Sequence, residues 1–390
     1  MMTREEIREL ATLQIPEDAL AISFYFQPKP PQNKSHKEES ILAKDLVRGA
    51  MREAEKNGKN AAARADLSRI LTIAEDLPRQ IGHAKAVFAC GALHYWREFN
   101  LPPWLPGTQL LVNRRFHLKP LARLLGAQRR VGVVLVNRQQ ARLFDFRLDE
   151  LKEREVISHS LPRPRGDGFA GYNAGHAERR LADDNMRHFK DVAEHLKAEI
   201  ERGTWEGLIL GGQETHWLEL EPHLHPYVKQ RLLGRFAIDT ANATPDQIRE
   251  QANRVQREAQ DLRRHNLVVE VIGQAKSNSR GVTGLRRVLR SLELGEVQTL
   301  LIGDNYRAHA IECTNCGHLD PHMVRHCPVC GHNTRELEDV CDAVIPAAIR
   351  RDVELFYVKD NADFDRAGNI GALLRFRADQ RRGQPVAAAV

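Results

Sequence analysis

The sequence has no uninterrupted apolar run long enough to cross a bilayer, and residues 1–10 lack the apolar stretch of a secretion signal. We therefore expect no membrane segment and a cytoplasmic location. Aromatic residues make up only 6% of the chain, so base stacking is not expected to dominate any contact with nucleic acid. A disulfide framework is also missing, because four of the 6 cysteines lie in CxxC pairs while Cys90 and Cys341 stand alone.

A length of 390 residues exceeds one ordinary core, and the net charge of +6 makes an acidic partner plausible. Alternating strand and helix patterns predict a mixed α/β fold. We divide it into three domains. They are an N-terminal α/β domain (1–130), a middle domain with a central sheet and long helices (131–266), and a C-terminal α/β domain (267–390) whose tail after residue 377 is predicted to be disordered.

The same patterns predict the individual elements. In the first domain we expect strands at 21–26, 85–90 and 109–112 and helices at 35–56, 66–77 and 117–125, with 91–107 as an irregular excursion. In the middle domain we expect a hairpin of 131–136 and 141–148, a strand at 208–210, and helices at 226–233 and from Thr244. The third domain should contain a helical segment to 275, a helix at 283–294, and strands at 299–302, 353–358 and 373–376.

An arm rich in glycine and arginine (163–176) precedes the long middle-domain helix. Leu181, Phe189, Val192, Leu196 and Ile200 recur at helical spacing after it. Glycines give such a segment no packing of its own, and arginines suit contact with phosphates. The residues that we predict to contact RNA are Arg163, Arg165, Gly166, Gly168, Gly171, Gly175, Arg179 and Arg180. On composition alone, an ordinary surface loop before a core helix is an equal alternative.

Two CxxC pairs lie in a predicted insertion at 311–334. Cys313, Cys316, Cys327 and Cys330 have the spacing with which two tight turns close a tetrahedral site, so we predict a structural Zn²⁺. Four thiolates leave no open position for a substrate. An iron–sulfur cluster and chance pairing are the alternatives, and nearby histidines are expected outside the ligand set.

The order of elements over nearly the whole chain resembles the archaeo-eukaryotic peptide-chain release factors and Pelota, including their bacterial relatives of the Balon-like ribosome-binding type. Phe116 and His117 with the following leucines resemble the end of the family's first domain. The hairpin at 131–148 resembles the opening of its middle domain. Residues 281–302, 353–360 and 368–377 resemble its third domain, which has the fold of a ribosomal kink-turn-binding protein, and a zinc insertion at this place also occurs in relatives.

The family's functional motifs are displaced or missing. Gly211, Gly212 and Gln213 spell the tripeptide that release factors carry on the arm before the long helix, but here it follows the strand at 208–210 and the arm has no glutamine. We interpret it as a strand-end turn. The decoding motif of the first domain is reduced to a fragment, Asn33, Lys34 and Ser35, so reading of stop codons is unsupported.

Three functions follow as hypotheses. The resemblance favours a monomer that binds the ribosome without catalysis, in hibernation or rescue, with its first domain in the decoding site and its arm in the large subunit against rRNA. The second is a peptidyl-tRNA hydrolase using Gln213. The third is a tRNA-cleaving nuclease using His176 or His188 as acid or base. The sequence leaves open whether a translational GTPase accompanies the protein.

Overall fold

The computed structural model describes residues 2–16, 19–27, 36–56, 61–76, 84–102, 107–127, 129–158 and 174–378. The chain forms two compact units, one of residues 1–126 with 266–390 and the other of residues 127–265. The predicted mixed α/β class is confirmed, and each of the three predicted regions contains a sheet of its own. The boundaries between three domains stay a prediction. No helix in the described part of the chain is both long and apolar enough to span a membrane.

The first part of the larger unit is an antiparallel sheet covered by helices. Its elements are α1 (Arg4–Thr12), β1 (Ala21–Phe26), α2 (His36–Lys56), α3 (Ala61–Asp76), β2 (Ala84–Cys90), β3 (Tyr95–Leu101), β4 (Gln109–Asn113) and α4 (Lys119–Ala127). The strand order is β3-β2-β1-β4. Every residue of β1 is buried, as expected for a central strand, and α2 and α3 bury their apolar faces against it.

The prediction of an irregular excursion at 91–107 was wrong, because β3 pairs with β2 along its whole length. An edge strand is exposed on much of its surface, so its polar residues hide the pattern of a strand. Trp96 packs against the core beneath the guanidinium of Arg69, whose Cζ lies 3.9 Å from the ring centroid. Helix α1 was also missed, although Thr3 and Glu6 form a capping box at its start.

The second unit is a five-stranded sheet with helices on both faces. Its elements are β5 (Val131–Val136), β6 (Gln140–Arg147), β7 (Glu150–Ser158), α5 (Ala174–Glu201), β8 (Gly207–Gly212), α6 (Glu214–Leu220), α7 (Pro226–Arg231), β9 (Leu232–Ala237) and α8 (Pro245–Lys276). The order is β7-β6-β5-β8-β9, with β5, β8 and β9 parallel. Helices α5, α6 and α7 cover one face, and α8 covers the other.

The hairpin of β5 and β6 and the cap of α8 were predicted. Thr244 and Gln247 exchange two hydrogen bonds at the start of α8, at 3.1 and 3.3 Å. Helix α8 runs past the predicted boundary near residue 267 as one continuous helix of 32 residues. Strands β7 and β9 and helix α6 were not predicted.

The second part of the larger unit has two sheets. Its elements are β10 (Gly281–Thr283), α9 (Leu285–Glu293), β11 (Val297–Gly303), β12 (Ala310–Cys313), β13 (Leu319–Asp320), β14 (Thr334–Leu337), α10 (Cys341–Arg350), β15 (Glu354–Val358), α11 (Ala362–Arg366) and β16 (Ile370–Leu374). One sheet has the order β10-β16-β11-β15, and the insertion forms a small sheet of order β13-β12-β14. The last strand lies earlier than the predicted 373–376, and the predicted tail lies outside the described residues from 379 onward.

Polar contacts join the two parts of the larger unit. His117 Nδ1 lies 2.9 Å from Asp342 Oδ1, and both side chains are nearly buried. Arg350 donates to the carbonyl of Ala11 at 2.7 Å. Arg123 pairs with Asp304. Because buried polar groups without partners are costly, these pairs favour one arrangement of the two parts over others.

Candidate functional site

The four cysteines of the insertion lie on two tight backbone turns. After each CxxC pair, Gly317 and Gly331 have φ of +72° and +74°, which an L side chain rarely adopts. Their amides donate to the carbonyls of Cys313 and Cys327, at 3.2 and 2.9 Å, and close the two turns. Backbone amides also point at sulfur, because the Val329 amide lies 3.4 Å from Cys327 Sγ. The sequence therefore builds two equivalent knuckles that present sulfur to one point.

The distances between sulfur atoms fit a metal centre. Sγ of Cys313 lies 3.4 Å from Sγ of Cys330, and Sγ of Cys316 lies 3.7 Å from Sγ of Cys327. A tetrahedron with Zn–S bonds of about 2.3 Å has sulfur atoms about 3.8 Å apart, whereas a disulfide needs about 2.05 Å. All four ligand atoms lie within 4.8 Å of one another. The cluster can therefore hold one tetrahedral metal ion.

Histidines surround this cluster without joining its ligand atoms, as predicted. His318 Nδ1 lies 2.8 Å from a Glu293 oxygen, and His322 Nδ1 lies 2.8 Å from Asp320. His332 lies beside Cys330, and the backbone amide of His332 lowers the pKa of the Cys330 thiol. A thiolate is the form that binds a metal, so this contact favours ligation at neutral pH.

A residue missed by the sequence reasoning connects the cluster to the rest of its unit. Glu312, next to Cys313 on β12, is 8% exposed and accepts from Arg335 at 2.7 and 2.9 Å. It also accepts from Arg115, near β4, at 2.5 Å. The only signal in the sequence is an acid within an apolar strand, and that signal does not reveal its partners.

The second candidate site is the end of β8, where Gly211, Gly212 and Gln213 lie. A Cβ added to Gly211 would be 2.4 Å from Leu135 Cδ2 and 2.7 Å from Phe236 Cζ. A Cβ on Gly212 would be 2.6 Å from the carbonyl oxygen of Val136. Packing of β8 between β5 and β9 therefore requires both glycines, independently of any chemistry.

Gln213 follows directly as the exposed residue before α6, with no capping hydrogen bond from its side chain. A cavity of about 380 Å³ opens beside it at the carboxyl ends of the parallel strands. Arg235 lies on its wall, with Cζ 4.4 Å from the Trp217 ring centroid and a 3.2 Å contact to Glu214. The arrangement holds Gln213 at a rigid sheet edge next to one paired cation.

Most of the predicted arm lies outside the described residues. Arg163, Arg165, Gly166, Gly168 and Gly171 lie outside the described residues. The helix begins at Ala174 rather than at 177, so the predicted arm residue Gly175 lies within α5. His176, Arg179 and Arg180 are also in α5, but their side chains lie outside the described part.

The body of α5 is anchored in the core of the second unit. Phe189, Val192, Leu196 and Ile200 are buried against the sheet, as predicted. His188 is buried too, at 0% exposure, so an acid–base role toward RNA is not available to it in this structure. Glu199 was missed: it is 2% exposed and accepts from Arg154 of β7 at 2.6 Å and from Arg202 at 2.8 Å.

The chain is similar to translation termination factors. Residues 117–257 match bacterial archaeo-eukaryotic release factor family 10. Peptide chain release factor subunit 1 of Pyrococcus abyssi is 26% identical over 298 residues, which cover 68% of this chain and 70% of that protein. The same protein of Archaeoglobus fulgidus is 24% identical over 301 residues, covering 71% and 73%.

Among solved structures, the chain is similar to a model of ribosome-bound archaeal Pelota and ABCE1. The TM-score is 0.42 at 15% identity, over 96% of this chain and 94% of that chain. Dom34 of S. cerevisiae gives 0.40 at 9% identity, over 96% and 93%.

Proposed function

Because the chain is a bacterial-type member of the archaeo-eukaryotic release factor and Pelota superfamily, we propose that it binds the ribosome in hibernation or rescue without chemistry of its own. In this proposal the first domain faces the decoding site and the arm enters the large subunit. The protein then works in the cytoplasm, with rRNA as the main partner.

The observation that carries the proposal is the position of Gln213. It lies at the end of a strand packed between two neighbours, and the two glycines before it are required by that packing. A catalytic glutamine of the release-factor type would need to reach the peptidyl-transferase centre from an extended arm. The arm of this chain, at 163–176, contains arginine and glycine and no glutamine.

The arm suits a role in binding. It connects the edge strand β7, which ends at Ser158, to α5, whose apolar face is fixed in the core. Arg163 and Arg165 in the arm, with Arg179 and Arg180 in α5, would contact phosphates, which position a protein on RNA without reading the sequence. The cysteine cluster would hold a structural Zn²⁺, since four protein thiolates fill all four coordination positions of the metal and leave no position for a substrate.

Sedimentation with ribosomes tests the proposal. The purified protein is expected to pellet with ribosomes at low salt. The fraction in the ribosome pellet should fall steeply as the salt concentration rises. Arg163→Ala combined with Arg165→Ala should weaken binding and reduce the slope of log K against log salt by about two, because each phosphate contact releases counterions.

The matched control is Arg249→Ala with Arg254→Ala on α8, which removes the same charge from arginines already paired with Asp246 and Glu258. It should pellet like the parent. No pelleting of the parent at low salt, or equal loss in both variants, would refute the proposal.

Peptidyl-tRNA hydrolysis remains as a second function because Gln213 is exposed beside a cavity. Release of labelled peptide from stalled ribosomes that disappears in Gln213→Ala would establish it in place of simple binding. Shortened tRNA 3′ ends that depend on His176 would instead establish the nuclease.

A further inference from the structure

A cluster of arginines lies on α9, far along the sequence from the arm. Arg286, Arg287 and Arg290 are exposed. No hydrogen bond or ion pair is formed by any of the three side chains with the described residues. We call these three residues the α9 arginine surface.

Helix α9 holds this surface rigidly. Its opposite face buries Val288, Leu289 and Leu292, which are at most 2% exposed. Gly284 and Gly295, with φ of +83° and +71°, bound the helix at its two ends. The helix backbone beneath the basic groups is therefore preorganised, so binding would cost little backbone entropy and only the ordering of the arginine side chains.

The cluster is costly unless something binds it. Residues three and four positions apart on a helix are neighbours, so Arg290 lies near both Arg286 and Arg287, and like charges at this spacing destabilise a helix. The acid of the same helix, Glu293, does not compensate, because it is engaged with the His318 ring and the Leu319 amide. A polyanion would relieve the repulsion.

The shape beside the cluster indicates which polyanion. Arg287 and Arg290 line a cavity of about 570 Å³ whose walls include Val282, Leu294 and Leu374. Leu294 is 52% exposed there. Glu296 also reaches the cavity, but it is 5% exposed and one of its oxygens accepts from the Ala378 amide at 2.8 Å. A cationic rim beside the exposed Leu294 suits a nucleotide, with phosphate on the guanidinium groups and base or sugar on the Leu294 side chain.

We propose that the α9 arginine surface and its cavity form a second RNA-binding site, which takes the phosphate backbone of RNA independently of the arm. Arginine suits this ligand because its planar fork donates two parallel hydrogen bonds to one phosphate. An acidic protein surface offers carboxylates to the same rim but has no flat base for the apolar wall. The inference goes beyond the proposed function and does not rest on it.

The test measures binding of the full-length protein to a short labelled RNA that contains a duplex and a single-stranded loop, by fluorescence anisotropy over a salt series. The triple substitution Arg286→Gln, Arg287→Gln and Arg290→Gln is expected to weaken binding at low salt about tenfold or more. It should also reduce the slope of log K against log salt by about two to three, because each lost phosphate contact lowers the number of counterions released on binding by about one. The exposed side chains leave the core unchanged, so the melting temperature should match that of the parent.

The matched control is Arg249→Gln, Arg254→Gln and Arg257→Gln on α8, which removes the same charge. Unchanged RNA affinity in this control supports a specific RNA-binding site at the α9 arginine surface. Equal weakening in both variants means nonspecific attraction and overturns the inference, as does an α9 variant that binds RNA like the parent. Polyglutamate is added as a competitor: displacement of RNA at equal charge concentration, lost in the α9 variant, would assign the surface to an acidic protein instead.

Ribosome pelleting separates this inference from the proposed function. An α9 variant that keeps its RNA affinity while the parent pellets with ribosomes refutes only the second site. A parent that binds the labelled RNA through α9 but does not pellet refutes only the proposed function.

Discussion

At the scale of single residues, the glycines before Gln213 separate packing from chemistry. Gly211→Ala should destabilise the protein by about 2 kcal/mol, because its new methyl group would overlap Leu135 and Phe236. Gln213→Ala should leave stability unchanged, since that side chain is exposed and caps nothing. Chemical denaturation measures both effects.

The reverse order of stabilities would contradict the packing explanation. A protein that tolerates Gly211→Ala but is destabilised by Gln213→Ala would show that the strand end depends on the glutamine. Gly273→Ala is the control, because a Cβ there would meet nothing within 4 Å and the residue lies inside α8.

Glu199 is expected to make the stability of the folded protein depend on pH. Burial raises the pKa of Glu199, but Thr204, Arg154 and Arg202 outweigh it, so the pKa lies below the ordinary value of 4.5. The ionised carboxylate therefore stabilises the folded protein above about that pH, and this contribution is lost as pH falls through the lower pKa of the folded state.

Glu199→Gln should accordingly cost about 1–2 kcal/mol at neutral pH, with the difference from the parent narrowing in acid. Thermal unfolding across a pH series measures it. Glu201→Gln on the same helix is the control, because that carboxylate is 56% exposed and forms an ordinary surface pair with Lys197. A difference that is constant with pH would contradict the role of the ion pairs.

At the scale of elements, the sequence predicted the helices and strands that have a clear hydrophobic periodicity. It missed strands that are defined mainly by their pairing with a neighbouring strand. The strands β1, β5 and β8 are nearly continuous apolar runs, and the buried face of α5 repeats at helical spacing, so all were found. The edge strands β3, β7 and β9 were missed because most of their residues are exposed or half-buried. Such strands lack the alternation of apolar and polar residues that predicts a strand from the sequence.

The candidate sites divide in the same way. The cysteine cluster was predictable because its ligands are encoded by local spacing. Glu312 was not, since its partner Arg115 is separated from it by 197 residues and only folding brings them together. The position of Gln213 after the long helix followed from residue order alone, whereas the need for both glycines depends on neighbouring strands.

The insertion gives a test at this scale. Three strands of two to four residues are too short to bury a core, so the proposed Zn²⁺ on the cysteine cluster would be what holds the small sheet together. Cys327→Ser should abolish stoichiometric zinc and expose β12 and β14 to hydrogen exchange. Elemental analysis and exchange measured by mass spectrometry report the two effects.

Cys90→Ala is the control, because this buried cysteine lies on β2, outside the ligand cluster. It should keep one zinc per chain. A Cys327→Ser protein that retains full zinc, or one that loses zinc without faster exchange in the insertion, would contradict a structural metal at this site.

At the scale of the whole molecule, the larger unit joins two parts that are distant in sequence. Asp342 at the start of α10 accepts from Asn113 at 3.3 Å and lies 2.9 Å from His117, so one carboxylate bonds two residues of the first part. Its side chain is 15% exposed, which makes a lost partner costly. Asp342 is therefore one of the polar contacts that hold the two parts together.

Asp342→Ala should weaken this union by about 2 kcal/mol and accelerate hydrogen exchange on both sides of it, in β4 and in α10, while β5 and β8 of the other unit stay protected. Asp365→Ala on α11, an exposed aspartate of the same unit, should change neither. Faster exchange confined to α10 would mean that Asp342 serves only its own helix. Exchange that rises together in β4 and α10 would show that Asp342 stabilises the contact between the first and second parts of this unit.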